Sequence, residues 1–220
     1  MDDEEIPPAA LDELAIFPLP DLVLFPNALL PLHIFEPRYR DLIADILAGS
    51  RLLAVARLRP GYDADYYGRP PVYAVAGIGR CISADPLPDG RYNIMVRGLG
   101  RFHIDAELAP AKAYRQVRGR LLGDDRTLRA VDLDDLHREL LAVCDRLADL
   151  VPEGDPLRQL TRVIPTPGGC ADVVASALVR DPDFRQNLLE LLDPGDRLEQ
   201  VVEYVSMLVG QFGPGNRTLN

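Results

Sequence analysis

The residue pattern of the chain changes near residue 124, and this change restricts the folds open to the chain more than any other feature. Residues 1–124 hold 13 of the 20 prolines and many short apolar runs, rich in β-branched and aromatic residues, between turn residues. Residues 125–220 instead repeat apolar residues at intervals of three and four over long stretches. The sequence therefore predicts an α+β chain with a β-rich first part and a helical second part.

The first part is predicted to contain about seven or eight short strands around one helix. Proline has no N–H to give to a sheet ladder, so Pro18 and Pro26 end the apolar runs 14–17 and 22–25. Residues 36–49 have helical spacing, with a proline in the first turn. The other strand candidates are 29–35, 52–58, 72–78, 92–96, 101–104 and 114–122. Strands this short and numerous favour a small barrel or sandwich over a parallel sheet.

The second part is predicted to be a small bundle of about four or five helices. A long amphipathic helix covers 133–151, and Asp196 is predicted to cap the last helix. Shorter helices are predicted at 156–163, at 171–178 and from Pro182 onward. The predicted domain limits are an acidic, disordered head at 1–11, a β-rich subdomain at 12–124, a helical subdomain at 125–212 and a disordered tail at 213–220.

The charge of the chain disfavours nucleic acid as a partner. The net charge is −10, whereas a protein that neutralises phosphates usually carries the opposite balance. The charge is uneven, with −3 on residues 1–124 and −7 on residues 125–220. Four of the acidic residues of the first part lie within its first five positions, so the predicted barrel itself is close to neutral. The barrel is therefore expected to be the adaptable binding face, and the helical part its solubilising support.

The cysteines and the amino terminus indicate a cytoplasmic protein. The three cysteines, Cys81, Cys144 and Cys170, form no CxxC pair, which is typical of a reducing compartment rather than of a disulfide scaffold. The first residues are acidic, and no apolar signal segment follows them. No apolar stretch approaches the roughly 20 residues of a membrane span, so no membrane partner is expected.

No motif for catalysis, a cofactor or a metal stands out. Lys112 is the only lysine, and neither a GxxxxGK[ST] nor a GxSxG motif occurs. The three histidines are isolated, and His33, in an apolar run, is interpreted as a structural histidine. The repeated pattern GIGR at 77–80 and GLGR at 98–101 lacks the third glycine of a nucleotide fingerprint and predicts bends or bulges in a curved sheet. We therefore expect a protein that is not an enzyme; coupled carboxylates in an unrecognised cleft are the alternative.

Several segments together resemble one known family. Residues 17–39 read FPLPDLVLFPNALLPLHIFEPRY, which resembles the opening of the Lon protease amino-terminal, or substrate-binding, domain. The segments 76–82, 87–94 and 96–104 follow in that family's order and spacing, and 188–199 is similar to the entry of its last helix. The resemblance covers about residues 12–210. It implies a PUA-like pseudo-barrel followed by a helical bundle.

The resemblance also implies a role. In full-length Lon this domain helps to recruit unfolded or tagged proteins, and an ATPase ring and a Ser-Lys peptidase follow it. Because neither module is found in these 220 residues, the chain is expected to be a stand-alone member that binds unfolded or partly folded proteins without cutting them. A separate protease is a second expected partner. PUA-like folds elsewhere recognise RNA, so an RNA-binding module is the alternative.

Two segments of the predicted barrel are candidates for the protein-binding surface. The first is the start of the predicted helix, which combines charge with one aromatic ring: Glu36, Arg38, Tyr39 and Arg40. Tyr39 either contacts a partner or anchors the helix in the core. The second is the loop 60–71, with three clustered tyrosines: Tyr62, Tyr66 and Tyr67. These rings either form an interface or cover the open end of the barrel.

Overall fold

The structure is a computed structural model that describes residues 5–125, 133–152 and 154–213. The chain divides into two compact units, the first ending at Gly123 and the second beginning at Asp124. The predicted boundary lies one residue further along. Of the two predicted disordered ends, 1–4 and 214–220 lie outside the described residues. The rest of the head differs from the prediction, because Pro8–Leu11 form a 3-10 helix from which Ala10 and Leu11 pack against the barrel core.

The first unit is a closed β-barrel with one α-helix. Its elements are β1 (Leu14–Leu19), β2 (Leu29–Ile34), α1 (Pro37–Leu47), β3 (Leu52–Arg57), β4 (Val75–Pro86), β5 (Tyr92–Glu107) and β6 (Arg115–Leu122). The strand order is β2-β5-β4-β3-β1-β6, and β6 also pairs with β5, so five strands close into a ring with β2 attached to β5. Only β1 and β3 pair in parallel. This is the predicted pseudo-barrel.

The longest strands differ from the prediction. The candidates 92–96 and 101–104 are one strand, β5, whose first half pairs with β2 and whose second half pairs with β6. The run 22–25 is buried but is not a strand. It crosses the barrel at Gly77 and Gly98, where an added Cβ would overlap the carbonyl oxygens of Leu24 and Phe25, respectively. Gly77 and Gly98 therefore allow a close backbone crossing. A bulge, as the glycine pattern predicts, lies next to the first of them, between Ile78 and Gly79.

Helix α1 is held by its apolar face. The face packs on the outer layer of the barrel core with four buried side chains, Tyr39, Leu42, Ile43 and Ile46. Fully burying one such large apolar side chain stabilises a fold by roughly 1.5–3 kcal/mol. A second cluster, which includes Ile16, Ile78 and Phe102, fills the interior of the barrel. The start of α1, with its charged residues, is thereby fixed on the barrel.

The second unit is helical, with α2 (Leu133–Leu150), α3 (Asp155–Val163), α4 (Pro167–Leu178), α5 (Pro182–Glu190) and α6 (Pro194–Phe212). Helices α2 and α4 both pack against α6. The predicted cap of α6 is wrong by three residues: the Asp193 carboxylate accepts hydrogen bonds from the backbone N–H groups of Gly195 and Asp196, at 2.7 and 3.1 Å. Pro194 suits the first helical position, which moves the start of the helix upstream of Asp196.

A buried ion cluster ties the helical unit together. Arg197, on α6, is fully buried, and its Nη2 lies 2.9 Å from Asp124 Oδ1 while its Nε lies 3.1 Å from Asp172 Oδ1. Its Nη1 also donates to the carbonyl oxygen of Leu191 at 2.6 Å. A charge is tolerated in such a place only when it is paired and hydrogen-bonded. Among the described helices, none has the length and apolar character required to span a membrane.

Candidate functional site

The structure brings the two predicted candidate segments of the barrel together at Glu36. This residue stands immediately before α1, and its Oε2 accepts a hydrogen bond from Arg38 Nε at 3.0 Å. Its other oxygen, Oε1, accepts a hydrogen bond from the Tyr66 hydroxyl at 3.2 Å. We call Glu36, Arg38, Tyr39, Tyr66 and Tyr67 the tyrosine cluster. One carboxylate thus fixes both the arginine and the tyrosine loop.

The Arg38 guanidinium lies between two aromatic rings. Its Cζ is 4.6 Å from the ring centroid of Tyr39 and 5.6 Å from that of Tyr66, within the range of a cation–π contact. Tyr39 itself is buried, and its ring meets Phe17 edge to face at 4.3 Å. Burial raises the pKa of Tyr39 to about 12, so this residue is neutral at neutral pH. Tyr39 therefore anchors the helix, and the exposed part of the cluster lies on other residues.

The exposed part is the tyrosine loop. Tyr66 is half-buried, whereas Tyr67 is 86% exposed and packs edge to face on Tyr66 with ring centroids 5.2 Å apart. Tyr62 is half-buried, 6.3 Å from Tyr66 between centroids. The cavity under the cluster has a volume of only about 10 Å³, about what one water molecule needs. Tyr67 is thus presented on a closed, packed surface.

Arg115 and Glu107, which the sequence analysis did not select, hold the end of this loop. Arg115, on β6, is buried, and its Nε and Nη2 donate to the two carboxylate oxygens of Glu107 at 2.8 Å each. Its Nη1 donates to the carbonyl oxygen of Pro70 at 2.8 Å. Arg69 adds an ion pair to Glu107 at 2.9 Å. A bidentate arginine–carboxylate pair stabilises the structure and also restricts its geometry. The end of the loop is therefore held against β5 and β6.

The remaining predicted residues lie elsewhere. The guanidinium of Arg40 lies against the turn at Gly90. His33, interpreted as a structural histidine, is exposed and stands opposite Asn93 across the β2–β5 pair, with Nδ1 2.7 Å from Asn93 Oδ1. Side chains alternate across a strand, and this places His33 on the outer face. His33 and Asn93 line a mixed polar cavity of about 400 Å³.

The one lysine is paired, and the three cysteines are buried. Lys112 Nζ pairs with Asp45 Oδ2 at 2.9 Å on the surface. All three cysteines are buried as free thiols, and burial raises the pKa of Cys144 to about 12 and that of Cys170 to about 11. A thiol with so high a pKa is a poor nucleophile at neutral pH. Within the described ranges, no group of three or more histidine, cysteine or acidic side chains could hold a metal ion.

The helical unit carries an apolar groove that the sequence analysis missed. We call it the helical groove, a cavity of about 600 Å³ that falls within the usual range of ligand pockets. It is lined by the ends of α2, α3, α4 and α6: Leu147, Val151, Pro156, Leu157, Leu160, Ala177, Leu178, Arg180, Tyr204, Leu208 and Phe212. The signal for it in the sequence is that several helices carry more apolar residues than the core of the unit buries.

Comparison with known proteins assigns this fold to a family of protease-associated substrate-binding domains. The family model of the ATP-dependent protease La (LON) substrate-binding domain matches residues 13–207. The chain belongs to this family. The Lon protease of Roseiflexus castenholzii is 31% identical over 201 residues, which are 90% of this chain and 24% of that protein. Lon protease 2 of Myxococcus xanthus is 26% identical over 194 residues, which are 88% of this chain and 23% of that protein.

The solved structures that resemble the chain confirm the fold. The N-terminal domain of Mycobacterium avium complex Lon protease superposes with a TM-score of 0.66 at 19% identity, over 89% of this chain and 98% of that one. The Lon N-terminal domain protein from Xanthomonas campestris gives 0.61 at 25% identity, over 87% of this chain and 98% of that one. The chain spans about a quarter of the length of the curated relatives it matches. The match is to the substrate-binding part of Lon and not to its peptidase, and none of these relatives supports the RNA-binding alternative.

Proposed function

We propose that the protein binds unfolded or partly folded segments of other proteins, in the cytoplasm, as a non-catalytic accessory to proteolysis. The observation that carries this proposal is membership of the LON substrate-binding domain family over residues 13–207. A domain that recruits protein substrates needs a surface that accepts many sequences rather than one. The proposed partners are such client segments and a separate protease that degrades them.

The tyrosine cluster is the proposed contact surface on the barrel. Tyr67 presents 86% of its surface to solvent, and its ring is already positioned against Tyr66, which Glu36 holds by a hydrogen bond. A tyrosine that is positioned before binding loses little conformational freedom when it contacts a partner. A tyrosine ring can pack on the apolar residues of a partner, and its hydroxyl can pair with the partner's backbone groups. Both contacts suit segments of varied sequence. Arg38, within the cluster, and Tyr62, next to it, are proposed as supporting contacts, and Arg40, at the turn around Gly90, as a more distant one.

A titration with an unfolded client tests the proposal. A fluorescently labelled, permanently unfolded protein and its folded form are each titrated with the full chain, and binding is followed by anisotropy. We expect binding of the unfolded form, and a roughly five- to thirtyfold loss of affinity for Tyr67→Ala, because an aromatic contact at an interface contributes about 1–2 kcal/mol. Leu121→Ala, another exposed apolar residue of the barrel, is the matched control and should bind as the parent does.

Two results would count against this function. Equal affinity for the folded and the unfolded form would remove the selectivity that a recruiting domain needs. An unchanged affinity for Tyr67→Ala, together with a loss for Leu121→Ala, would place the contact away from the tyrosine cluster. Either result is read from the same set of titrations.

A further inference from the structure

The helical groove is open to solvent along its walls. Its lining side chains Leu157, Leu160 and Leu208 are only half-buried, and Phe212 remains 49% exposed. Apolar surface left uncovered in this way is typical of sites that receive another molecule. Because the groove is open rather than enclosed, it suits a chain segment that lies along it.

The walls of the groove favour a helical occupant over an extended one. Nine of the eleven lining residues lie within α-helices, and none lies in a strand whose edge could pair with an extended segment. An extended segment in the groove would therefore bury its own backbone groups without partners, which costs free energy. A helix brings its backbone hydrogen bonds already made and offers side chains at positions i, i+3, i+4 and i+7 to an apolar groove.

One side of the groove carries a single cation, Arg180, in the connection between α4 and α5. Arg180 lines the groove and is exposed, and no described carboxylate forms an ion pair with it. Arg185 lies close enough to feel this charge: burial, and after it the charge of Arg180, lowers the pKa of the Arg185 guanidinium. Arg180 thus adds a like charge next to Arg185 in a unit whose sequence is acidic overall. An incoming carboxylate would pair with Arg180 and relieve that repulsion.

The side formed by α2 and α3 is acidic. Arg158 contacts three carboxylates, those of Asp145 at 3.6 Å, Asp155 at 3.2 Å and Asp149. Three negative charges around one guanidinium leave an excess of negative charge. This cluster borders the groove, because Val151 and Pro156 line both the groove and the adjoining cavity that contains Arg158 and Asp155.

We propose that the helical groove binds an amphipathic helix of a partner protein, with an acidic residue of that helix at Arg180 and a basic residue at the aspartates around Arg158. The apolar face of the helix fills the groove, and the two charged sides set its direction. The inference rests on the proposed function in one respect, that the ligand is a protein. The proposed occupant of the groove is helical, whereas the proposed occupant of the tyrosine cluster is unfolded.

Two designed peptides test this inference on the full chain. Both are labelled helices with the same leucine face; the first has glutamates at one end and lysines at the other, and the second has lysines at both ends. We expect the chain to bind the first peptide about two- to fivefold more tightly, the size of an exposed charge pair. In Arg180→Glu the order of the two peptides should reverse, which a folding defect would not produce.

A pair of neighbouring residues on α6 provides the matched control for the apolar contact. Leu208 lines the groove, whereas Met207 is 49% exposed and does not line it. Leu208→Ser should weaken both peptides by about tenfold, and Met207→Ser should leave both unchanged. Equal effects of the two substitutions, or an unchanged order of the peptides in Arg180→Glu, would overturn the inference.

Other occupants of the groove are outcomes of the same experiment. If the peptides bind only after removal of residues 214–220, the occupant is the end of this chain, and the inference is wrong. Self-association that Leu208→Ser abolishes would assign the groove to a second copy and would also overturn it. Binding of the unfolded client without either peptide refutes this inference alone. Binding of the peptides without the client refutes the proposed function and leaves the groove as a site for a helical partner.

Discussion

The barrel and the helical unit present two different kinds of surface. On the barrel, the tyrosine cluster is closed and internally paired, with a cavity of only about 10 Å³ beneath it and one highly exposed ring, Tyr67. On the helical unit, the helical groove offers about 600 Å³ of open, mostly apolar space between two charged sides. The first surface can contribute a few positioned contacts, and the second can bury a continuous apolar face. The two proposals together would let one small chain recognise two forms of protein.

The two units also differ in what fixes their structures. In the barrel, backbone passes close to backbone at Gly77 and Gly98, so the absence of side chains is the essential feature. In the helical unit, a fully buried arginine pairs with two aspartates, so the presence of particular side chains is essential. Seven of the eight tyrosines lie in residues 1–123. Tyrosine fluorescence therefore reports mainly on the barrel, and the helical circular dichroism signal reports mainly on the second unit.

The largest expected effect is the loss of the buried charge in the helical unit. Arg197→Ala leaves Asp172 buried without its cation and should lower the free energy of unfolding by about 3–5 kcal/mol. Urea denaturation followed by helical circular dichroism measures this change. Arg138→Ala, which removes an exposed ion pair on α2, should stay within about 0.5 kcal/mol of the parent. Equal losses for the two variants would show that burial of the ion cluster is not what stabilises this unit.

The next effect should appear in the barrel. In Gly77→Ala the new Cβ meets the carbonyl oxygen of Leu24, and we expect a loss of about 1–3 kcal/mol from the resulting backbone shift. Denaturation followed by tyrosine fluorescence is the measurement. Gly123→Ala is the control, because nothing lies within 4 Å of its added Cβ. A neutral Gly77→Ala would mean that the crossing segment moves freely.

The cap of α6 gives a smaller effect in the helical unit. Asp193→Ala removes the acceptor for two backbone N–H groups and should cost about 1 kcal/mol, measured by helical circular dichroism in urea. Asp196→Ala should cost less, because Asp196 donates its backbone N–H to the cap instead of providing the capping carboxylate. The reverse order would support the capping residue that the sequence pattern indicates.

The smallest effect concerns the support of the tyrosine loop. Tyr66→Phe deletes the hydroxyl that donates to Glu36 and should lower the stability of the barrel by about 0.5–1 kcal/mol, measured by tyrosine fluorescence in urea. Tyr67→Phe, at a ring that is 86% exposed, is the control and should change little. If Tyr66→Phe leaves both stability and client binding unchanged, the hydrogen bond does not position the loop.

Much of the fold follows from local patterns. The change of pattern near residue 124, the helix that begins at Pro37 and the apolar stripe of α2 all correspond to observed elements. The run 22–25 was misassigned because an apolar run indicates burial but not whether its backbone joins a sheet. The apolar pattern of 92–96 and 101–104 is interrupted by the glycines at 98 and 100, so the sequence predicts two strands, although β5 continues through both glycines.

The site was less accessible to sequence reasoning. The segments at Glu36 and Tyr66 were selected separately for their composition, but the hydrogen bond that joins them spans 30 positions and has no local signal. The pair of Arg197 and Asp124 spans 73 positions. The helical groove combines apolar residues from four helices, and each of these apolar residues alone resembles an ordinary core position. These features depend on contacts between residues far apart in the sequence, which form only when the chain has folded.

The central claim is that this chain recognises unfolded protein through the tyrosine cluster. Hydrogen exchange of the full chain, recorded alone and with a permanently unfolded client, tests it residue by residue. We expect slower exchange at 61–68 and at the start of α1 with the unfolded client, and no change with the folded form of the same protein. Unchanged exchange in these two segments, with a client that is demonstrably bound, would contradict it.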